Sequence, residues 1–196
     1  SFGSSFRTNN KKELIKEGSN NFLLKGFFKN QKGVKNTVFF SHDTKGNKKI
    51  KINKKEIRKR KELLGINNVV VFSPEEESIT KNGPKNRRKF FDRIFSIVSK
   101  SYLNELLSYN STLQQRNAVL RLSSKKNINK EIEIWNEPFA EKAEKLWEKR
   151  GLLLNDFSNI FKKTVEKLEV GIECDIYYDQ RKTKKENIIS FIDKKI

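Results

Sequence analysis

Arginines are the side chains of this sequence whose type and placement point to chemistry, and that chemistry is the holding of anions. Arg87 and Arg88 follow Asn82-Gly83-Pro84, which reads as a helix start. They fall in the first turn or so of that helix, where the macrodipole disfavours positive charge by about 0.3–1 kcal/mol. Arg88 also stands four residues before Asp92, and an exposed pair at that spacing is worth only about 0.3–0.5 kcal/mol. An internal ion pair and a contact to phosphate are equally good readings of it. Arg116, beside Asn117, lies late in a second helix; either that helix end emerges into water or the two side chains reach a partner surface. Arg58 and Arg60 belong to a run from Lys54 to Lys61 in which six of eight residues are cationic, and Arg7 precedes them all. Like charges packed so densely either are solvated or face an anion.

The search for other chemistry is negative. The sequence has no G-x-x-x-x-G-K-[ST] phosphate loop, no G-x-G-x-x-G, no metal-spaced Cys/His cluster, and no Ser or Cys with a His partner. We therefore assign no catalytic, metal or cofactor-binding residue. His42, the only histidine, sits beside Asp43 near a turn and is expected to be a solvent-exposed loop residue. Cys174, the only cysteine, has no internal disulfide partner, which fits a reducing compartment.

The stretch from Val69 to Leu122 must position the later arginines. Val69 to Phe72 reads as a buried strand, and Ser73-Pro74 with Glu76 makes a helix start with a capping box. After Pro84, the residues Phe90, Phe91, Ile94, Phe95 and Val98 form one apolar helical stripe. A longer helix runs from about Ser101 to Leu122, with Leu106, Leu113 and Leu120 at heptad spacing beside a row of Tyr102, Tyr109 and Arg116. Upstream, the runs from Asn21, from Lys35 and from Lys48 read as strands, the last two as a hairpin around Lys45-Gly46-Asn47. Lys49 and Lys51 alternate there with Ile50 and Ile52. Asn53 and Glu56 then predict a helix start.

Downstream, Ser123 to Asn129 is a polar break. A helix is expected from Ile132, carrying Trp135, Phe139, Ala143, Leu146 and Trp147, with the tryptophans as core. A second helix, about Asn155 to Leu168, is expected as its antiparallel neighbour. Ile172 to Tyr178 alternates like a strand, and Thr183 with Glu186 caps a closing helix through Ile188, Ile189 and Ile192.

A chain of 196 residues can hold one domain or two small ones, and 15 Phe argue against disorder. The net charge of +19 is uneven. Residues 1–66 carry 18 Lys/Arg against 5 Asp/Glu, residues 67–129 carry 11 against 5, and residues 130–196 carry 14 of each. A polyanion, most simply nucleic acid, is the expected partner of the first two thirds. The abundance of Lys, Asn and Ile fits compositional drift, so single lysines weigh less than arginines. No apolar run is long enough to cross a bilayer and no signal peptide is legible, which predicts a soluble, cytoplasmic protein without a membrane partner. With no Met in the chain, we expect an internal piece of a longer protein.

Several motifs taken together resemble the RecF family of bacterial DNA replication and repair proteins. They are Gly3-Ser4-Ser5-Phe6-Arg7-Thr8, Lys12-Glu13-Leu14-Ile15, Val70-Val71-Phe72-Ser73-Pro74-Glu75, Asn82-Gly83-Pro84, Arg87-Arg88, Phe90-Phe91-Asp92, Gln115-Arg116-Asn117-Ala118 with Leu120, and Trp135. Ser4 stands where the family favours Arg, and Lys81-Asn82-Gly83 where two glycines are commoner. Ser73 to Glu77 lacks the glutamine that often contacts the metal in ABC ATPases.

The resemblance implies an α/β fold class, here an α+β fragment: part of an ABC/SMC-like ATPase lobe with an antiparallel β-rich edge, plus an inserted helical lobe. Residues 1–73 would be partial ATPase lobe, 74–170 the helical lobe, and 171–196 a strand and helix leading back. It further implies ATP with Mg in the full-length parent, weak DNA-dependent ATPase activity and an ATP-dependent homodimer. Its setting would be recombinational repair and the SOS response, with RecO, RecR and the recombinase as partners. Arg7, Arg58, Arg60, Arg87, Arg88 and Arg116 become candidate contacts to DNA. Two other readings stay open: a helical protein-interaction or dimerisation module with incidental charge, and an unrelated basic RNA-binding protein.

Overall fold

Lysine and isoleucine alternate along Lys48–Ile52 because a strand sends successive side chains to opposite faces, and here one face is covered. In the computed structural model, which describes residues 8, 10–30, 32–58, 60–63, 66, 79, 83–122, 128–168, 171–178 and 184–193, Ile50 and Ile52 are buried while Lys49 stays exposed. The chain divides into two compact units, Ser1–Ser73 and Pro74–Ile196.

The first unit is an antiparallel meander of β1 (Asn21–Lys29), β2 (Lys35–Asp43), β3 (Lys48–Ile52) and β4 (Lys55–Glu56), in that spatial order. A 3-10 turn at Lys11–Leu14 precedes it, capped by Asn10, whose side chain accepts from the Lys12 amide and donates to Glu13. The β2–β3 turn is closed by Asp43, whose Oδ1 accepts from the Asn47 amide at 2.8 Å, while Gly46 takes φ +91°. The side-chain bond from Asn47 is the main cause that holds the Asp43 carboxyl below its ordinary pKa.

The helix expected at Asn53 does not form. Asn53 and Lys54 take φ of 48° and 71°, the left-handed pair of a two-residue hairpin turn, and the chain returns as β4. Asn tolerates that conformation, and its side chain is engaged by β2: Oδ1 accepts from the Thr37 amide and Nδ2 donates to Asn36, both at 2.8 Å. A 3-10 turn at Arg60–Leu63 then brings Leu63 onto Ile50 and Ile52. His42 is also corrected. It lies within β2, is 8% exposed, and stacks on Phe22 because the strand period turns it to the covered face.

The second unit is helical. Gly83 caps α1 (Pro84–Val98) without a side-chain bond, with Pro84 opening the helix as expected. The apolar stripe holds at Phe91, Ile94 and Phe95, but Val98 is 68% exposed. The longer helix α2 (Lys100–Leu122) buries Tyr102, Leu103, Thr112 and Arg116. It packs along α3 (Ile128–Glu166), and the pairs Tyr102 with Arg150 and Arg116 with Asn136 show that the two run antiparallel.

α3 replaces the two expected helices by one of 39 residues. Its buried stripe passes through Ala143, Leu146, Arg150, Leu154 and Ser158 without a change of period, so packing on α2 outweighs the roughly 1 kcal/mol helix cost of Gly151. Pro138 lies on the exposed face of α3 together with Ile134, the residue whose carbonyl loses its helical amide partner to the proline. Trp147 packs against both cores of the unit, one built on Phe95, Tyr102, Leu146 and Leu154, the other on Ala140, Ala143, Ile188 and Ile192. The last two belong to α4 (Lys185–Asp193), which the small Ala140 and Ala143 allow to approach closely.

Residues 171–178 keep the predicted alternation, with Cys174, Ile176 and Tyr178 turned inward, but they join no sheet among the described residues. The expected strand at Val69–Phe72, the Ser73 helix start, the Thr183 cap and most of the Ser123–Asn129 break lie outside the described residues.

Candidate nucleic-acid interface

The first turn of α1 holds no acidic residue, and its N-cap offers no side-chain acceptor. Lys85, Arg87, Arg88 and Lys89 are all exposed around it. The helix therefore presents four cations at the end whose own partial charge is positive, an arrangement whose electrostatic cost an anion would offset. Phe91, Ile94 and Phe95 anchor this helix in the core, and Arg87 and Arg88 stand four residues before Phe91 and Asp92, on the same side of the helix but one turn nearer its start.

Asp92 is not left to Arg88. Its Oδ1 accepts from Arg150 Nε at 3.0 Å and Nη2 at 2.8 Å, and also from the Tyr102 hydroxyl. Arg150 Nη1 reaches the Tyr178 hydroxyl at 3.2 Å, and its guanidinium sits 5.8 Å from the Tyr178 ring centre. Burial opposes the charge of Arg150, but Asp92 with the two tyrosines outweighs it and holds the guanidinium more firmly protonated than usual. Burial likewise pushes the Tyr102 and Tyr109 hydroxyls up. This cluster ties α1, α2, α3 and residues 171–178 together, and sequence reasoning missed it. The available signal was Arg150 itself, an arginine in step with Leu146 and Leu154 on an apolar stripe.

Arg116 also turns inward. It is 9% exposed, donates from Nε and Nη2 to Asn136 Oδ1 at 3.2 and 3.1 Å, and lies 5.5 Å from the Phe139 ring centre. Neither the emergence into water nor the outward reach expected of Arg116 is what the helix pair does with it; the exposed neighbour is Asn117. Arg58 is exposed just beyond β4, while Arg7 and the Arg60 side chain lie outside the described residues. The structure thus brings Arg87 and Arg88 together, separates Arg116 from them by burying it, and places Arg58 in the other unit. Among the described residues, no cluster of His, Cys, Asp and Glu could hold a metal ion, and no helix is long and apolar enough to cross a membrane.

No family model matches the chain. Among curated proteins it is 33% identical over 176 residues to the DNA replication and repair protein RecF of Caldanaerobacter subterraneus subsp. tengcongensis, covering 87% of this chain and 48% of that protein. It is 36% identical over 177 residues to RecF of Clostridioides difficile, covering 88% and 46%. A solved structure described as the recombination mediator protein RecF-ATP in the RecFOR pathway superposes with a TM-score of 0.77 at 28% identity, covering 98% of this chain and 54% of that one. The fold is thus the expected α/β class, that of part of an ABC-like ATPase, with a four-stranded antiparallel sheet and helices. The chain spans about half the length of the curated relatives it matches. It belongs to the RecF family of DNA replication and repair proteins.

Proposed function

We propose that this chain is a DNA-facing part of a RecF-type repair and replication protein. In this reading the whole protein binds ATP with Mg, dimerises around it on single-stranded or duplex DNA at gaps and junctions, and assists recombinase loading with RecO and RecR. Weak DNA-dependent ATP hydrolysis belongs to the whole protein. Residues 1–73 serve the ATPase lobe and its β-rich edge, 74–170 the helical lobe, and 171–196 the return. The observation that carries the DNA contact is the acid-free first turn of α1 with Arg87 and Arg88 exposed beside Lys85 and Lys89. Arg58, exposed just beyond β4, extends the basic surface of the other unit, with Arg7 and Arg60 candidate contacts by sequence, and Arg116 acts from inside the helical unit as a packing residue.

A salt titration of duplex binding tests this. Each duplex phosphate neutralised contributes about −0.9 to the slope of log affinity against log salt, so Arg87→Gln with Arg88→Gln should flatten it by about 1.8. Affinity that is weak and insensitive to salt between low and physiological concentration refutes the DNA surface. A second reading, a protein-interaction module, is favoured by the exposure of Leu107, Leu152 and Ile160 on α2 and α3. Arg87→Glu with Arg88→Glu separates the two: loss of partner binding with DNA binding intact supports the second.

A further inference from the structure

The four-stranded sheet has two faces, and the described elements cover only one. Leu63 of the 3-10 turn at Arg60–Leu63 packs on Ile50 and Ile52, and Lys11 of the first 3-10 turn lies 5.8 Å from the centre of the Phe40 ring. By register, the opposite face carries Leu23, Lys25 and Phe27 of β1, Phe39 of β2, Lys49 and Lys51 of β3, and one carboxylate, Glu56 of β4, across from Lys51 at the sheet edge. Lys29 and Lys35 pair across its far end. Phe39 stands directly across from Lys25 on one side and Lys51 on the other, so a ring is flanked by an ammonium on each neighbouring strand. Phe27 is 74% exposed, with the Lys25 ammonium 5.0 Å from its ring centre. The two phenylalanines are diagonal neighbours, roughly 7–8 Å apart by sheet geometry.

We propose that this face is a stacking platform for single-stranded DNA, with unpaired bases lying on Phe27 and Phe39 and the interleaved lysines neutralising the phosphates between them. Every base has a π face and every linkage a negative charge, which this pattern matches regardless of sequence. A duplex keeps its bases inside the stack and can use only the lysines. A neutral apolar protein surface would strip water from several ammonium groups without supplying countercharge. The inference rests on the reading that the chain binds DNA, and it adds a surface for an unpaired strand distinct from the arginines of α1.

The test measures fluorescence anisotropy of a labelled oligothymidylate, and of a duplex of equal length, with the full 196-residue chain. Phe27→Ala should weaken oligothymidylate binding by about 5- to 150-fold and leave duplex binding unchanged. Phe27→Trp should keep the affinity, and its new indole should be quenched by oligothymidylate and not by duplex. Lys49→Gln with Lys51→Gln should weaken both DNA forms and flatten the single-strand salt slope by about 1.4. A Phe27→Ala chain that loses both forms equally, or neither, overturns the platform while leaving duplex binding by the parent chain in place. A parent chain that binds neither form refutes the DNA reading and the platform with it. Tighter binding of an RNA oligomer of matching length overturns DNA as the occupant.

Discussion

Removing the Arg150 side-chain charge is the sharpest perturbation of the helical unit. Arg150 is 5% exposed and gives two bonds to Asp92 and one to each of Tyr102 and Tyr178. Arg150→Met keeps most of the apolar stem but leaves the Asp92 carboxylate with only the Tyr102 hydroxyl. Breaking a buried ion pair by deleting one partner costs about 3–5 kcal/mol. The Asp92 side chain retains 18% exposure, so water recovers part of that loss and the expected cost is at the lower end. We expect about 3 kcal/mol, roughly a 150-fold fall in the folded-to-unfolded ratio of this unit. Both tryptophans lie on α3, so urea unfolding followed by tryptophan fluorescence reads the helical unit apart from the sheet. Asp92→Asn with Arg150→Met should cost less than the sum of the single changes, by about 1–3 kcal/mol. A cost for Arg150→Met under about 1 kcal/mol, or strict additivity in the double variant, refutes the reasoning.

Three further outcomes are expected. Lys54→Gly should stabilise the sheet unit by about 0.5–1 kcal/mol, the left-handed penalty of a side chain less the entropy cost of glycine, as read by thermal unfolding in circular dichroism. Arg116→Met should destabilise the helical unit by about 1–3 kcal/mol, because Asn136 loses a charged partner, and should leave the salt slope of DNA binding unchanged. Tyr102 and Tyr109 are raised in the fold, chiefly by burial. Their contribution is therefore full below the unfolded tyrosine pKa of about 10 and is lost as pH rises toward the folded values. Spectrophotometric titration should find these two hydroxyls ionising only with alkaline unfolding, and their free ionisation in folded protein would contradict the packing.

Periodicity made the elements legible wherever one residue type decided a face. The Lys/Ile alternation of β3, the Gly83-Pro84 start of α1 and the Ile188/Ile192 stripe of α4 follow from strand and helix periods alone. The misreadings share a different cause: each turned on what a neighbour in space offered. Asn53 is a competent helix cap until β2 presents Thr37 and Asn36 to its side chain. The break expected ahead of Asn155 closes because α2 supplies a continuous surface for α3. His42 reads as a turn residue until register sets it beside Phe22. The exposed placement of Arg87 and Arg88 near the start of α1 was legible from the Gly83-Pro84 start. Arg116 and Arg150 were not, because an arginine in an apolar stripe looks the same in sequence whether it projects outward or pairs inward.

The continuity of α3 has a mechanical consequence. At 1.5 Å per residue its 39 residues form a rod about 58 Å long. Its earlier half holds α4 through Ala140 and Ala143, and its later half holds α1 and residues 171–178 through Arg150, Leu154 and Ser158. A tilt of about 5° about one end displaces the other by about 5 Å, close to one helical turn. Because α3 is continuous, any tilt of it as one body carries the α4 contact and the Arg150 cluster together, with about 2 Å of travel between Arg150 and Trp135 for the same 5°.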